Sequence, residues 1–172
     1  ADFPIATQLP DLRRWRLRDP KPTRCYLSSG TRGEPNQTFF SAQDWRELVD
    51  ERARCLSAVG VTTATKALVA VPFGPWFSGD NISDALSSLG ASLFTVGAYL
   101  PHLLSAVCMM ARLQANTLIT LPSTALTLAH LAQQAQDSGL LSKPIILDRI
   151  IMVGESASEP LRLAVERAFG GP

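Results

Sequence analysis

Apolar positions change their spacing along this chain, and the changes mark out its elements. From Ser41 to Gly60, Ala42, Trp45, Leu48, Val49, Ala53, Leu56 and Val59 recur at helical intervals, which predicts an amphipathic helix. Ser41, with Asp44 three residues on, supplies a capping-box start, and Gly60 a stop. Just before it, Thr38-Phe39-Phe40 reads as a short strand. Ala67 to Val71 differs in being an unbroken apolar run between Lys66 and Pro72, as expected of a strand covered on both faces. A helix from Ser78 to Leu89 and a strand from Ser92 to Val96 follow. Pro101 opens the next helix in its favoured first-turn position, with Leu103, Leu104, Val107, Cys108 and Ala111 expected inward. Thr117 to Leu121 reads as a strand, Pro122 to Asp137 as a helix ended by Gly139, and Arg149 to Val153 as the last strand. Ser158 then caps a helix whose Leu161, Val165, Ala168 and Phe169 share one face.

Strand and helix alternate, so the expected class is α/β, a mostly parallel sheet flanked by helices. In such sheets ligands collect beyond the carboxyl ends of the strands. Three segments fall at those ends: Phe73-Gly74-Pro75-Trp76-Phe77, Leu121-Pro122-Ser123 and Gly154-Glu155-Ser156. They are expected to converge on one cleft. Phe73, Trp76 and Phe77, with Pro122 and Ser123, are the candidate substrate-binding residues, since flat apolar rings suit an aromatic or fatty carboxylate. Core packing is the plainer role for the same rings.

The densest chemistry lies earlier, in Tyr26-Leu27-Ser28-Ser29-Gly30-Thr31-Arg32-Gly33-Glu34-Pro35. Gly30 and Gly33 permit positive φ and close backbone approach, so successive N–H groups can face one concavity and hold an anion. Ser28, Ser29 and Thr31 add hydroxyl donors, and Arg32 offers phosphate oxygens a planar fork. That set suits a polyphosphate. It is not a Walker loop, because no Lys-Ser/Thr follows the second glycine. An ordinary Ser/Gly turn between two strands has the same composition.

Charge and composition narrow the alternatives. A net charge of +1 over 172 residues gives no basic field for nucleic acid. Cys25, Cys55 and Cys108 are odd in number and widely spaced, which argues against a disulfide framework or a CxxC metal site and for a reducing compartment. Each is expected to be a small buried hydrophobe. His102 and His130 have no second ligand at metal spacing. Ala85 to Ala111 lacks charge and is long enough to cross a bilayer, but Pro101, Gly90 and Gly97 interrupt it; a strand and a buried helix are expected instead. Residues 1–22, with Arg13, Arg14, Arg16 and Arg18 around Trp15, read as a solvated connector, and Ala1 at the start suggests a processed segment.

Ser-Ser-Gly-Thr-Arg-Gly-Glu-Pro resembles the Ser/Thr-Gly-rich phosphate loop of the adenylate-forming (AMP-binding) superfamily, within it the phenylacetate–CoA ligase branch. Ala67 to Gly79, Leu89-Gly90-Ala91-Ser92-Leu93-Phe94, Leu121-Pro122-Ser123 and Val153-Gly154-Glu155-Ser156 resemble further landmarks of that branch in collinear order. The resemblance implies a partial N-terminal adenylation domain over residues 23–172 after a connector over 1–22. It implies that Ser28, Ser29, Gly30, Thr31, Arg32 and Gly33 hold the β- and γ-phosphates of ATP. Gly154, Glu155 and Ser156 would border adenine and ribose. Mg2+ and coenzyme A are the implied cofactors, and a small-molecule carboxylate the substrate, converted to an acyl-adenylate and then a thioester. Phenylacetate is the type of aromatic acid implied. The expected setting is cytoplasmic, with no nucleic-acid or membrane partner, and a lobe of this kind is expected to self-associate or form a homodimer.

Departures from the branch are also legible. Arg32 stands where a second threonine is usual, Glu34 where lysine is, Ser156 where proline is, and Thr124 where tyrosine often is. The Tyr-Gly-x-Thr-Glu stretch, ribose aspartate and lid lysine of such enzymes come after the position of Pro172, so these 172 residues are expected to turn over negligibly. Two other readings share the fold: a degenerate nucleotide-binding or scaffolding domain, and an adenylyltransferase that modifies a cofactor.

Overall fold

The computed structural model describes residues 22–27 and 37–170. Two short strands, β1 (Arg24–Leu27) and β2 (Gln37–Phe40), pair antiparallel with Leu27 opposite Gln37. Next come α1 (Ala42–Ala58), β3 (Lys66–Ala70), α2 (Ser78–Ser88), β4 (Ser92–Thr95) and α3 (Leu100–Leu113). β5 (Thr117–Thr120), α4 (Pro122–Asp137), β6 (Arg149–Met152) and α5 (Glu159–Ala168) complete the described chain. β3 to β6 form a parallel sheet in the order β4-β3-β5-β6. The class is the α/β architecture expected from the alternation.

The unbroken apolar run of β3 explains the layering. Leu68 and Ala70 point to one face, where Leu103, Val107 and Met110 of α3, Leu128 of α4 and Val165 of α5 pack with Phe169. Ala67, Val69 and Val71 point to the other, against Ala53 and Leu56 of α1 and Ile82 and Leu86 of α2. A strand apolar at every position is what such two-sided burial requires.

Local signals hold where they rest on local chemistry. The Ser41 hydroxyl accepts from the Asp44 amide at 3.1 Å, and Asp44 Oδ2 accepts from the Ser41 amide at 2.9 Å, closing the capping box. Hydrogen bonding to the carboxyl from the Ser41 side chain first, and then from the Ser41 backbone amide, holds Asp44 below its ordinary pKa. Pro101 sits in the first turn of α3 and Ser158 caps α5. The uncharged run from Ala85 divides among α2, β4 and α3. No helix among the described residues is long and apolar enough to cross a membrane.

Several side chains face other than expected. Leu104 is exposed, because α3 buries the 103, 106, 107 and 110 positions and its neighbour lies off that stripe. Val59 caps α1 and is exposed, as is Ala42 at its other end. The cysteines are not a buried set: Cys25 and Cys55 are exposed and Cys108 is half-buried. Cys25 alternates with inward-facing Tyr26 on β1, and Cys55 lies on the outer side of α1 beside Leu56. β1 was not expected as a strand; its pairing with β2 is what orders it.

Candidate cleft at the carboxyl ends of the parallel strands

The order β4-β3-β5-β6 contains a switch point. From β3 the chain crosses by α2 to β4, then returns by α3 past β3 to β5. The two crossovers lie on opposite faces of the sheet, so the chain parts at the tips of β3 and β5. Sheets of this kind leave a crevice there. A cleft of about 320 Å³ occupies the place. Val71 and Pro72 follow β3, Leu121 follows β5, and Val153 and Gly154 follow β6; all five line it. Arg52 of α1, Trp76, and Ser78 and Ile82 of α2 close it from the helical side.

Gly154 has φ +79, and a Cβ there would stand 3.0 Å from Leu121 Cδ2. Both facts call for glycine: the backbone is left-handed, and the tips of β5 and β6 approach closely. One residue on, exposed Glu155 reaches back to α4. Its Oε2 accepts from the Ser123 amide at 3.0 Å and its Oε1 from the Ser123 hydroxyl at 2.9 Å. Glu155 thus serves as a cap, supplied from the β6 side, for the first turn of α4.

The expected site residues distribute unevenly. Trp76 and Gly154 line the cleft, with Trp76 41% exposed at its mouth. Phe73 lies instead over α2, where a Cβ on Gly79 would come within 2.6 Å of its ring. Phe77 precedes α2 and meets Tyr26 and Phe40 with ring centroids 6.2 and 6.1 Å apart. Pro122 is buried in the first turn of α4, while Ser123, Glu155 and Ser156 are exposed. Ser28, Ser29, Gly30, Thr31, Arg32 and Gly33 lie outside the described residues.

The flanks of that segment are well defined. Leu27 and Gln37, on either side of it, pair across β1 and β2. The Leu27 amide donates to the Pro75 carbonyl at 2.6 Å, one residue before Trp76. Both flanks therefore stand beside the turn that borders the cleft.

A polar and aromatic clasp fastens this hairpin to the body. Tyr26 stacks on Trp45 at 5.5 Å between centroids, and Phe40 meets Trp45 edge-on at 5.6 Å. Tyr26 Oη donates to Asp80 Oδ2 at 2.8 Å, and Trp45 Nε1 to Asp84 Oδ2 at 2.8 Å. Arg24 lies 4.2 Å over the Trp45 ring and pairs with Asp84 at 3.3 Å. Burial raises the Tyr26 phenol above its ordinary pKa, with Asp80 adding to the rise and Arg24 opposing it. The hydrogen bond with Tyr26, joined by Asp84 and Asp80, raises Arg24.

Sequence reasoning passed over Arg52. Its Nε donates to Asn81 Oδ1 at 3.0 Å, a contact that exists only because α1 and α2 cross. The one local hint was a polar Asn81 between Gly79 and Ile82 on an otherwise inward face.

No protein-family model matches the chain, and no curated protein sequence matches it. Solved structures do. An open conformation of 2-hydroxyisobutyryl-CoA ligase in complex with 2-HIB-AMP and CoA aligns with TM-score 0.74 at 19% identity, covering 87% of this chain and 34% of that one. The adenylation domain of a keto acid-selecting NRPS module bound to keto acyl adenylate aligns at 0.65 and 14%, over 85% and 26%. A long-chain-fatty-acid-CoA ligase from Archaeoglobus fulgidus aligns at 0.63 and 10%, over 84% and 27%. The chain spans about a third of the length of these enzymes or less. Over that share it has the α/β fold of these structures.

Proposed function

We propose that this chain is the N-terminal portion of an ATP-dependent, AMP-forming carboxylate ligase. One observation carries the reading: in a chain with this fold, the flanks of the Ser/Gly-rich segment and the tips of β3, β5 and β6 gather at the same end of the sheet. Residues 28–33 would hold the β- and γ-phosphates of ATP, and Gly154, Glu155 and Ser156 would border adenine and ribose. Trp76 would face the acid, over the apolar floor of Val71, Ile82, Leu121 and Val153.

The reaction is attack of a carboxylate on the α-phosphorus of ATP, releasing pyrophosphate, with the acyl group then passing to a thiol such as coenzyme A. Two anions must meet, so neutralising charge and fixing geometry lower the barrier most. Loop amides, hydroxyls and Arg32 would do this at the phosphates. Magnesium enters with the nucleotide; among the described residues no group of three or more His, Cys, Asp or Glu side chains could hold a metal ion. An aromatic acid of the phenylacetate type, and a cytoplasmic setting, follow the resemblance of the sequence.

Arg32, Glu34 and Ser156 favour a second reading, a domain of this fold that no longer ligates. Calorimetric titration with ATP–magnesium separates the two. Saturable binding, weakened about tenfold by Arg32→Ala, is the expected result. No heat from the folded chain would leave the second reading.

A further inference from the structure

The cleft is lined by Arg52, a cation that no carboxylate among the described residues pairs with. Asn81 on α2 has no exposed surface. Its Oδ1 accepts from Arg52 Nε at 3.0 Å, while its Nδ2 has no partner. A buried amide left half-bonded is a standing cost. Aspartate at this position would remove the orphan donor and give the guanidinium a charge-assisted bond. The asparagine instead holds Arg52 through a neutral oxygen, which brings no charge of its own against the guanidinium.

Nearby carboxylates are committed elsewhere. Asp80 accepts from Tyr26, and Asp84 from Trp45 and Arg24. Among the described residues Arg52 makes no ion pair. Arg52 lines the cleft beside Ser78, at the amino end of the eleven-residue α2, where the helix dipole also favours an anion. Trp76, Val71, Ile82 and Leu121 supply an apolar wall.

We propose that this cleft binds a small organic anion, with a planar carboxylate on the Arg52 guanidinium and a flat apolar body against Trp76. The inference uses the cleft that the ligase reading gives to the acid. Where it rests on that reading, it narrows the acid to one with a second anionic group, since the reacting carboxylate must face the phosphate segment.

The test is run on the full 172-residue chain without nucleotide, so it stands or falls apart from ATP binding. Benzoate and its neutral isostere benzamide are titrated while the indole N–H signals are followed by NMR. Benzoate is expected to bind about tenfold tighter than benzamide and to move the Trp76 signal. Arg52→Met and Asn81→Asp should each weaken benzoate about tenfold and leave benzamide unchanged. Urea denaturation reports whether Asn81→Asp is folded, since it buries a new charge, and Arg52→Met, which buries none, carries the same test independently. Equal affinity for the two probes, no binding of benzoate, or benzoate affinity unchanged in folded Asn81→Asp would overturn the proposal.

Discussion

The two faces of the parallel sheet are covered by helices in opposite ways. Against Leu68, Ala70 and Leu118, the helices α3, α4 and α5 present a continuous apolar surface ending in fully buried Val165 and Phe169. Against Val69, Val71 and Ile119, the α1–α2 pair also buries aliphatic residues. Its crossing, however, holds Trp45 to Asp84 and Arg52 to buried Asn81. The first face contributes stability by area removed from water. The second gives up part of that to fix a hairpin and a cation beside the cleft. Polar groups, costly to bury, concentrate where the chain gathers its candidate chemistry.

Substitutions on the two faces should therefore differ in size and in kind. Phe169→Ala on the apolar face is expected to cost about 3–5 kcal/mol by urea denaturation, while the folded fraction binds cleft ligands as before. Trp45→Phe keeps a ring against Tyr26 and Phe40 but loses the indole bond to Asp84. It should cost about 1–2 kcal/mol in the same assay, and, unlike the first variant, weaken ATP binding by loosening the hairpin. Were Trp45→Phe to leave nucleotide binding intact, the contrast between the faces would reduce to packing.

Ser41→Ala removes the hydroxyl arm of the capping box and is expected to cost about 1 kcal/mol. It also sets a pH test. Asp44 has a native pKa below its unfolded value because of its bonds with Ser41. Its contribution to stability is therefore present above the ordinary carboxylate pKa and lost as pH falls through the lowered native one. An NMR titration of Asp44 should show its midpoint rising toward the ordinary value in Ser41→Ala. The smallest effect belongs to Glu155→Gln, whose parent caps α4 at the exposed surface; under about 1 kcal/mol is expected, read as a slight shift of the urea midpoint.

What the sequence disclosed divides by range. β3 was legible because burial on both faces leaves only one pattern, and the Ser41 and Ser158 caps because their bonds span three residues. β1 was missed since four residues, Arg-Cys-Tyr-Leu, become a strand only against β2. Leu104 was misplaced because adjacent leucines fit two overlapping stripes, and packing against the sheet chose the one through Leu103 and Val107. Among the aromatic residues after β3, composition could not separate Trp76 in the cleft from Phe73 over Gly79 or Phe77 in the hairpin clasp. Arg52 was invisible for the same reason: its meaning depends on a helix crossing that brings it to Asn81, twenty-nine residues away in sequence.

The claim beneath all of this is that residues 28–33 and the tips of the parallel strands face one crevice. Amide shift mapping by NMR during an ATP–magnesium titration tests it directly. Signals from residues 28–33 and from Val153 to Ser156 should move together and saturate at one concentration. Shifts confined to one of the two segments, or absent from both in the folded chain, would contradict it.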